Sequence, residues 1–317
     1  MSVRRTIAAG VAISIALAGL AAYADVPAPA PAVFAPGVVS GEVDSAPVFS
    51  PDGKTMLFTR SATVLESRRT GDGWSQPSIA AFSGVWPDMD PAFAPDGSYV
   101  VFVSRRPVGN ARPANLWRVD RTPAGWGSPV RLPDRVNLNA YVFAPSIAAD
   151  GTLYFLRSSA RFEHQLYRAR LRNGSYLAPE ALSFSNPATK DYDPGVAPDQ
   201  SYIVFASLGR NGAADKQLHL FIAFARGDGW SGVQRLRYAG DVARGSGSDS
   251  GPLVAADGTT LYFVSNRIVR PPMPRTLAQA EIDLRRLQQW NNGNSNAWRL
   301  DLQAVLPELR ASASASP

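Results

Sequence analysis

The chain has 317 residues, 45% of them apolar and 18% charged, with no cysteine and two histidines. That composition supports a sizeable core and excludes a disordered chain, disulfide bonds, thiolate metal or iron-sulfur sites, a cysteine nucleophile and a multi-histidine metal centre. The formal charge of +6 comes almost entirely from arginines scattered along the chain, lysine occurring only as Lys54, Lys190 and Lys216, so no basic stripe that would track nucleic acid is present.

Residues 1–24 place Arg4 and Arg5 ahead of an apolar run that ends in Ala22-Tyr23-Ala24. This reads as a secretory signal peptide cut before Asp25. An uncleaved anchor is the rival, but the apolar run is short and Ala and Pro follow it directly. No cysteine follows the run, which excludes a lipoprotein anchor. Residues 25–32 form a Pro/Ala linker of semi-rigid character. The expected product is a periplasmic or secreted monomer with no transmembrane segment after cleavage and no nucleic-acid partner.

One pattern then recurs five times: DSAPVFSPDG at 44–53, DMDPAFAPDG at 88–97, VFAPSIAADG at 142–151, DYDPGVAPDQ at 191–200 and DSGPLVAADG at 249–258. In each copy a proline (Pro47, Pro91, Pro145, Pro194, Pro252) stands five residues before an aspartate (Asp52, Asp96, Asp150, Asp199, Asp257). Each continues into a short Val-, Phe- and Tyr-rich stretch that reads as a strand, and the Asp-Gly junction as a tight turn with glycine at a left-handed position. Gln200 stands where the fourth turn has no glycine and should strain or reshape it. A third strand follows in every copy, and in four copies a loop such as GDGW leads to a fourth.

Four strands per unit, with about 51 residues between turn aspartates, predict the blades of a β-propeller. The fifth unit lacks its own fourth strand. The N-terminal FAPGVVSGEV can supply it, closing a five-bladed ring by pairing the two ends of the domain. The propeller is expected over 33–306, with residues 307–317 as a disordered tail.

These repeats, best seen in DSAPVFSPDGKTMLF and MDPAFAPDGSYVVFVSRR, resemble the Pro-Asp repeats of the TolB-like periplasmic propellers, and the resemblance covers about residues 33–306. It implies an all-β propeller in the cell envelope that binds a protein or peptide. TolB members of the family carry six blades and a further N-terminal domain, and six blades remains the alternative count here.

Strand direction puts the start of each first strand and the loop after each second strand on one face. Asp44, Asp88, Asp191 and Asp249 are therefore expected to ring one mouth of the channel, Val142 breaking the set, with Asp90 and Asp193 nearby. Arg60, Arg105, Arg157 and Arg267 end the second strands on the same face. Pairing of these acids with arginine or backbone is the favoured expectation over a Ca²⁺ or Mg²⁺ ring, because buried carboxylates must be compensated. No other cofactor is expected.

The favoured function is a non-catalytic binding or scaffold module for a protein, peptide or envelope polymer. The alternative is a five-bladed glycosidase using a pair of channel-mouth carboxylates. Glu163 and Glu180 are unrepeated but fall on a loop edge and an outer strand. GSGSDSG at 245–251 does not match a serine-hydrolase elbow, and His164 and His219 fall at third strands. Trp74, Trp126 and Trp230, each after a glycine, read as outer-strand anchors.

The fifth blade also carries an insertion, about 270–293. Thr276 and Gln279 form a capping-box pattern, and Leu277, Ala280, Leu284 and Leu287 recur at helical spacing, predicting a helix over about 276–290. Its apolar side is expected to pack on the propeller, the alternatives being a cap over the channel mouth or a contact with a partner.

Overall fold

A computed structural model describes residues 28–41, 45–137, 141–159, 161, 163–210, 216–239 and 247–315. The segment read as a signal peptide, Asp44, and Gly245 and Ser246 of GSGSDSG lie outside the described residues.

Five antiparallel sheets make the five blades of a propeller. The strands nearest the channel are Val48–Phe49, Asp88–Phe93, Tyr141–Ile147, Asp191–Val196 and Asp249–Val254. Each pairs with a second strand: Thr55–Arg60, Tyr99–Ser104, Leu153–Ser158, Tyr202–Ser207 or Thr260–Ser265. Third strands and short outer strands complete the blades. The turn aspartates hold the hairpins between first and second strands: Asp96 accepts from the N–H and hydroxyl of Ser98, and Asp52 from the Ser50 hydroxyl and Lys54 N–H. Those bonds, the hydroxyl first in each case, hold both carboxyls below their usual range. Gln200 keeps the fourth turn by adopting φ +59°, and its side chain accepts from the Tyr154 hydroxyl of the neighbouring blade at 2.8 Å.

The ring closes where the two ends of the domain meet. Ala32–Val33 pairs antiparallel with Asn296–Asp301 as the outer strand of blade five, just upstream of the predicted segment. Phe34 N–H adds a bond to Ala297 C=O at 2.8 Å, and the Ser40 hydroxyl both donates to Ala297 C=O and accepts from Ala297 N–H.

The core is divided among the seams between blades. Val100 and Phe102 pack towards blade one, whereas Tyr99, Val101 and Val103 pack towards blade three. A second strand buried on both faces explains why YVVFVS and YIVFAS are continuously apolar rather than alternating. Gly195 lies so close to the next blade that a Cβ there would stand 2.4 Å from the Pro252 carbonyl oxygen.

The tail expectation is corrected. Leu306–Ala315 forms a helix because Leu306, Leu309 and Ala313 find apolar partners in the seam between blades four and five. Gln234 donates to Leu309 C=O at 2.7 Å, and Arg310 lies over the Phe224 ring.

Candidate functional site

Each inner strand that begins with the Asp-x-x-Pro or equivalent pattern breaks register just before its proline, between Met89 and Ala92, Phe143 and Ser146, Tyr192 and Gly195, and Ser250 and Leu253. The residue before proline takes a left-handed conformation: Asp90 (φ +50°), Ala144 (+49°), Asp193 (+50°) and Gly251 (+54°). A bulge of this kind re-aims a side chain, and here it turns the pre-proline residue into the lumen. These residues line a 460 Å³ cavity at one mouth of the channel, together with Pro91, Pro145, Pro194 and Pro252.

The bulge also frees backbone groups, which link blade to blade around the mouth. Asp90 N–H donates to the Thr59 hydroxyl of blade one at 3.0 Å. The Asp90 carboxylate accepts from Ala144 N–H of blade three at 3.2 Å, and Asp193 accepts from Gly251 N–H of blade five at 3.0 Å. Both acids keep contact with the lumen while protein surrounds them. Burial, then the charge of Asp193, raises Asp90 to about 7, and burial raises Asp193 above the carboxylate range. Among the described residues no arginine or lysine pairs with either one. Further along the axis the channel widens into a second cavity of 510 Å³, walled by Phe49, Phe93, Ile147, Leu253 and Tyr262. One lumen therefore has two carboxylates at its mouth and aromatic rings at its other end, where Asp257 also joins the wall.

The three described acids expected to ring the mouth, Asp88, Asp191 and Asp249, lie elsewhere. Asp88 and Asp191 are fully buried and Asp249 nearly so, each against an arginine. Arg106 reaches Asp88, the Ser104 hydroxyl and the Phe82 carbonyl of the preceding blade's exit link, and lies over Phe102 and Trp117. Arg210 does the same with Asp191 and the Phe184 carbonyl. Arg267 meets Asp249 at 2.8 Å and Tyr238, whose hydroxyl also donates to Asp249. Each triad fastens one blade to the link from the blade before it. With a guanidinium in place, the three described aspartates have no common centre for a cation, and among the described residues no group of three or more His, Asp or Glu is placed to hold a metal.

The arginine expectation is corrected in register. Arg106, not Arg105, is the partner in blade two, and Arg210 serves blade four. The F-x-S-x-R spacing of Phe102-x-Ser104-x-Arg106 and Phe263-x-Ser265-x-Arg267 carries that information, because the arginine must share its serine's side of the strand. Blade four adds one residue before its arginine. Arg60 donates to Val38 C=O at 3.1 Å, and Arg157 lies over the Tyr167 ring. Arg105 is half-buried and its N–H bonds to Pro87 C=O.

The remaining candidates sit away from the lumen. Glu180 pairs with Arg168 and Arg170 on the outer edge, and Glu163 accepts from the Ser159 hydroxyl. His219 Nδ1 lies 2.9 Å from the Arg235 guanidinium, which can only donate, so the imidazole accepts there. His164 packs against the Tyr192 ring, and burial lowers its pKa. Trp126 donates to Glu66 of blade one, and Trp230 packs on Tyr154 and Phe184 of blade three, which makes both of them seam anchors.

The insertion forms the helix Leu277–Gln289 with the full Thr276/Gln279 capping box. Its apolar side does not pack on the propeller, contrary to expectation: Leu277 is 77% exposed, Leu284 55% and Leu287 48%, and the buried residue is Asp283.

No family model matches the sequence, and no curated protein matches it. Among solved structures the chain is similar to a putative TolB from Agrobacterium tumefaciens, at 21% identity and a TM-score of 0.48, over 71% of this chain and 70% of that one. It is also similar to TolB from Acinetobacter baumannii, at 14% identity and a TM-score of 0.49, over 83% of this chain and 55% of that one. A third is the gluconolactonase XC5397 from Xanthomonas campestris, at 12% identity and a TM-score of 0.48, over 87% and 85%. The five sheets of four or five strands among the described residues define the class of this chain: a five-bladed β-propeller with a carboxylate-bearing channel mouth.

Proposed function

We propose that the protein is an exported, non-catalytic propeller that binds a protein, peptide or envelope polymer at the mouth of its channel. The observation that carries this reading is the 460 Å³ cavity lined by Asp90 and Asp193, neither of which pairs with an arginine or lysine among the described residues. A rigid ring that presents uncompensated carboxylates beside an apolar lumen suits a ligand offering a basic group with an apolar continuation. Such a ligand would favour the ionised acids and release protons on binding. In-cell crosslinking should recover a defined envelope partner, and Asp90→Asn with Asp193→Asn should weaken its capture without lowering the melting temperature. Recovery that is indifferent to both substitutions would move the binding surface away from the channel. Export itself is tested by sequencing the N-terminus of the secreted chain, expected at Asp25.

A second reading has one observation in its favour. Two acids in a shared lumen, with Asp90 raised to about 7, resemble the protonated member of a glycosidase pair. It requires turnover of a glycan that Asp90→Asn abolishes in a fully folded protein.

A further inference from the structure

Among the described residues, seven of the twelve exposed large apolar side chains fall between positions 268 and 287, within the insertion of blade five. Concentrated exposure of this kind marks an interaction surface. The insertion is held firmly at its base: Asn291 bonds both the N–H and the C=O of Val269 at 2.7 Å, and Trp290 packs edge-on against Trp298. Beyond that base the helix, about 20 Å long by its residue count, keeps Leu277, Leu284 and Leu287 in solvent.

The charge of the same segment is positive. Arg270, Arg275, Arg285 and Arg286 are all exposed, against an exposed Glu281 and a buried Asp283 that pairs with Arg275 at 2.7 Å and Arg286 at 3.4 Å. Arg270, Arg275 and Arg286 also line a 310 Å³ pocket between the loop and the helix, together with Asp283 and with Val269, Pro271 and Ile282 as its apolar wall. Asp283 takes up Arg275 and Arg286, which leaves the exposed Arg270 and Arg285 to meet phosphates, and leucines standing beside them suit an acyl layer.

We propose that this insertion docks the protein on an anionic phospholipid bilayer, with headgroup phosphates meeting the arginines and the exposed leucines entering the acyl boundary. The insertion leaves the same face as the acidic mouth, whose lining includes Ser295, so docking turns that mouth towards the membrane. The proposal is independent of what the channel binds.

The test is co-sedimentation of the chain from Asp25 onward, which holds the whole described fold, with phosphatidylcholine vesicles made with and without phosphatidylglycerol. Binding is expected with phosphatidylglycerol and at least about tenfold weaker without it, and weaker again at high salt. Leu284→Asp with Leu287→Asp should lower binding by about tenfold or more, and Arg270→Glu with Arg285→Glu should bring it to the level of neutral vesicles. All four side chains are exposed, so the melting temperature should not move. Absence of binding to the anionic vesicles, or binding that the leucine pair leaves unchanged, overturns the proposal. So does a dimer in light scattering that the leucine pair dissolves while vesicles are ignored, since the face would then belong to a second copy.

Discussion

The Arg210 guanidinium meets both carboxylate oxygens of the fully buried Asp191, Nε to Oδ1 and Nη2 to Oδ2, each at 2.9 Å. A second bond from Nη2 reaches the Phe184 carbonyl in the link from the preceding blade. The pair therefore fixes the angle between two blades, and its cost of desolvation is offset by the forked geometry and by the ring contacts with Phe184 and Phe205. Arg210→Ala should lower stability by about 3 kcal/mol, since it leaves a buried carboxylate with the Thr189 hydroxyl but without a counter-charge. Combining it with Asp191→Leu should recover part of that loss. Chemical denaturation of the three variants checks this; equal losses in the single and double variants would show that the charge was not the cause.

Asp90 carries a pH dependence whose sign follows from its raised pKa of about 7. The folded state holds this proton more tightly than the unfolded chain, so stability from this group is present below the unfolded value and is lost as pH rises towards and through 7. Asp90→Asn keeps an oxygen for the Ala144 N–H and cannot ionise. The variant should match wild type near pH 4 and exceed it at pH 8 by on the order of 1–2 kcal/mol, allowing for lumen water. Melting curves across that range check it, and a constant difference would remove the titration from the account.

Gly195 illustrates how closely the inner strands approach. Gly195→Ala should destabilise by about 1–3 kcal/mol, because the neighbour in its way is the Pro252 backbone and cannot rotate aside. Gly232, which has open space around its Cβ position, is the control and should be close to neutral on thermal melting.

Gln200 trades backbone strain for a side-chain bond. Gln200→Gly should relieve about 1 kcal/mol of left-handed strain but leave the Tyr154 hydroxyl without its partner, giving little net change. In a Tyr154→Phe background the same substitution should stabilise by about 1 kcal/mol. A double-mutant cycle by denaturation separates the two contributions.

The sequence by itself determined the ring. Five Pro-Asp or Ala-Asp turns at regular spacing, apolar second strands and a missing outer strand in the last unit point to a ring of blades closed by the two ends of the domain, because hairpin geometry and seam burial are local consequences of residue type. It also marked the Thr276 helix cap. Which carboxylates look into the channel was decided only by tertiary structure. Asp88 and Asp90 are two residues apart, and simple alternation would put them on the same side of a strand. The bulge before Pro91 breaks that period, sending Asp88 into the seam with Arg106 and Asp90 into the lumen. The same holds for Asp191 and Asp193 in blade four. Helical spacing likewise predicted the leucine stripe but not its exposure, since a helix shows which side is apolar and only its landing place decides whether anything covers it.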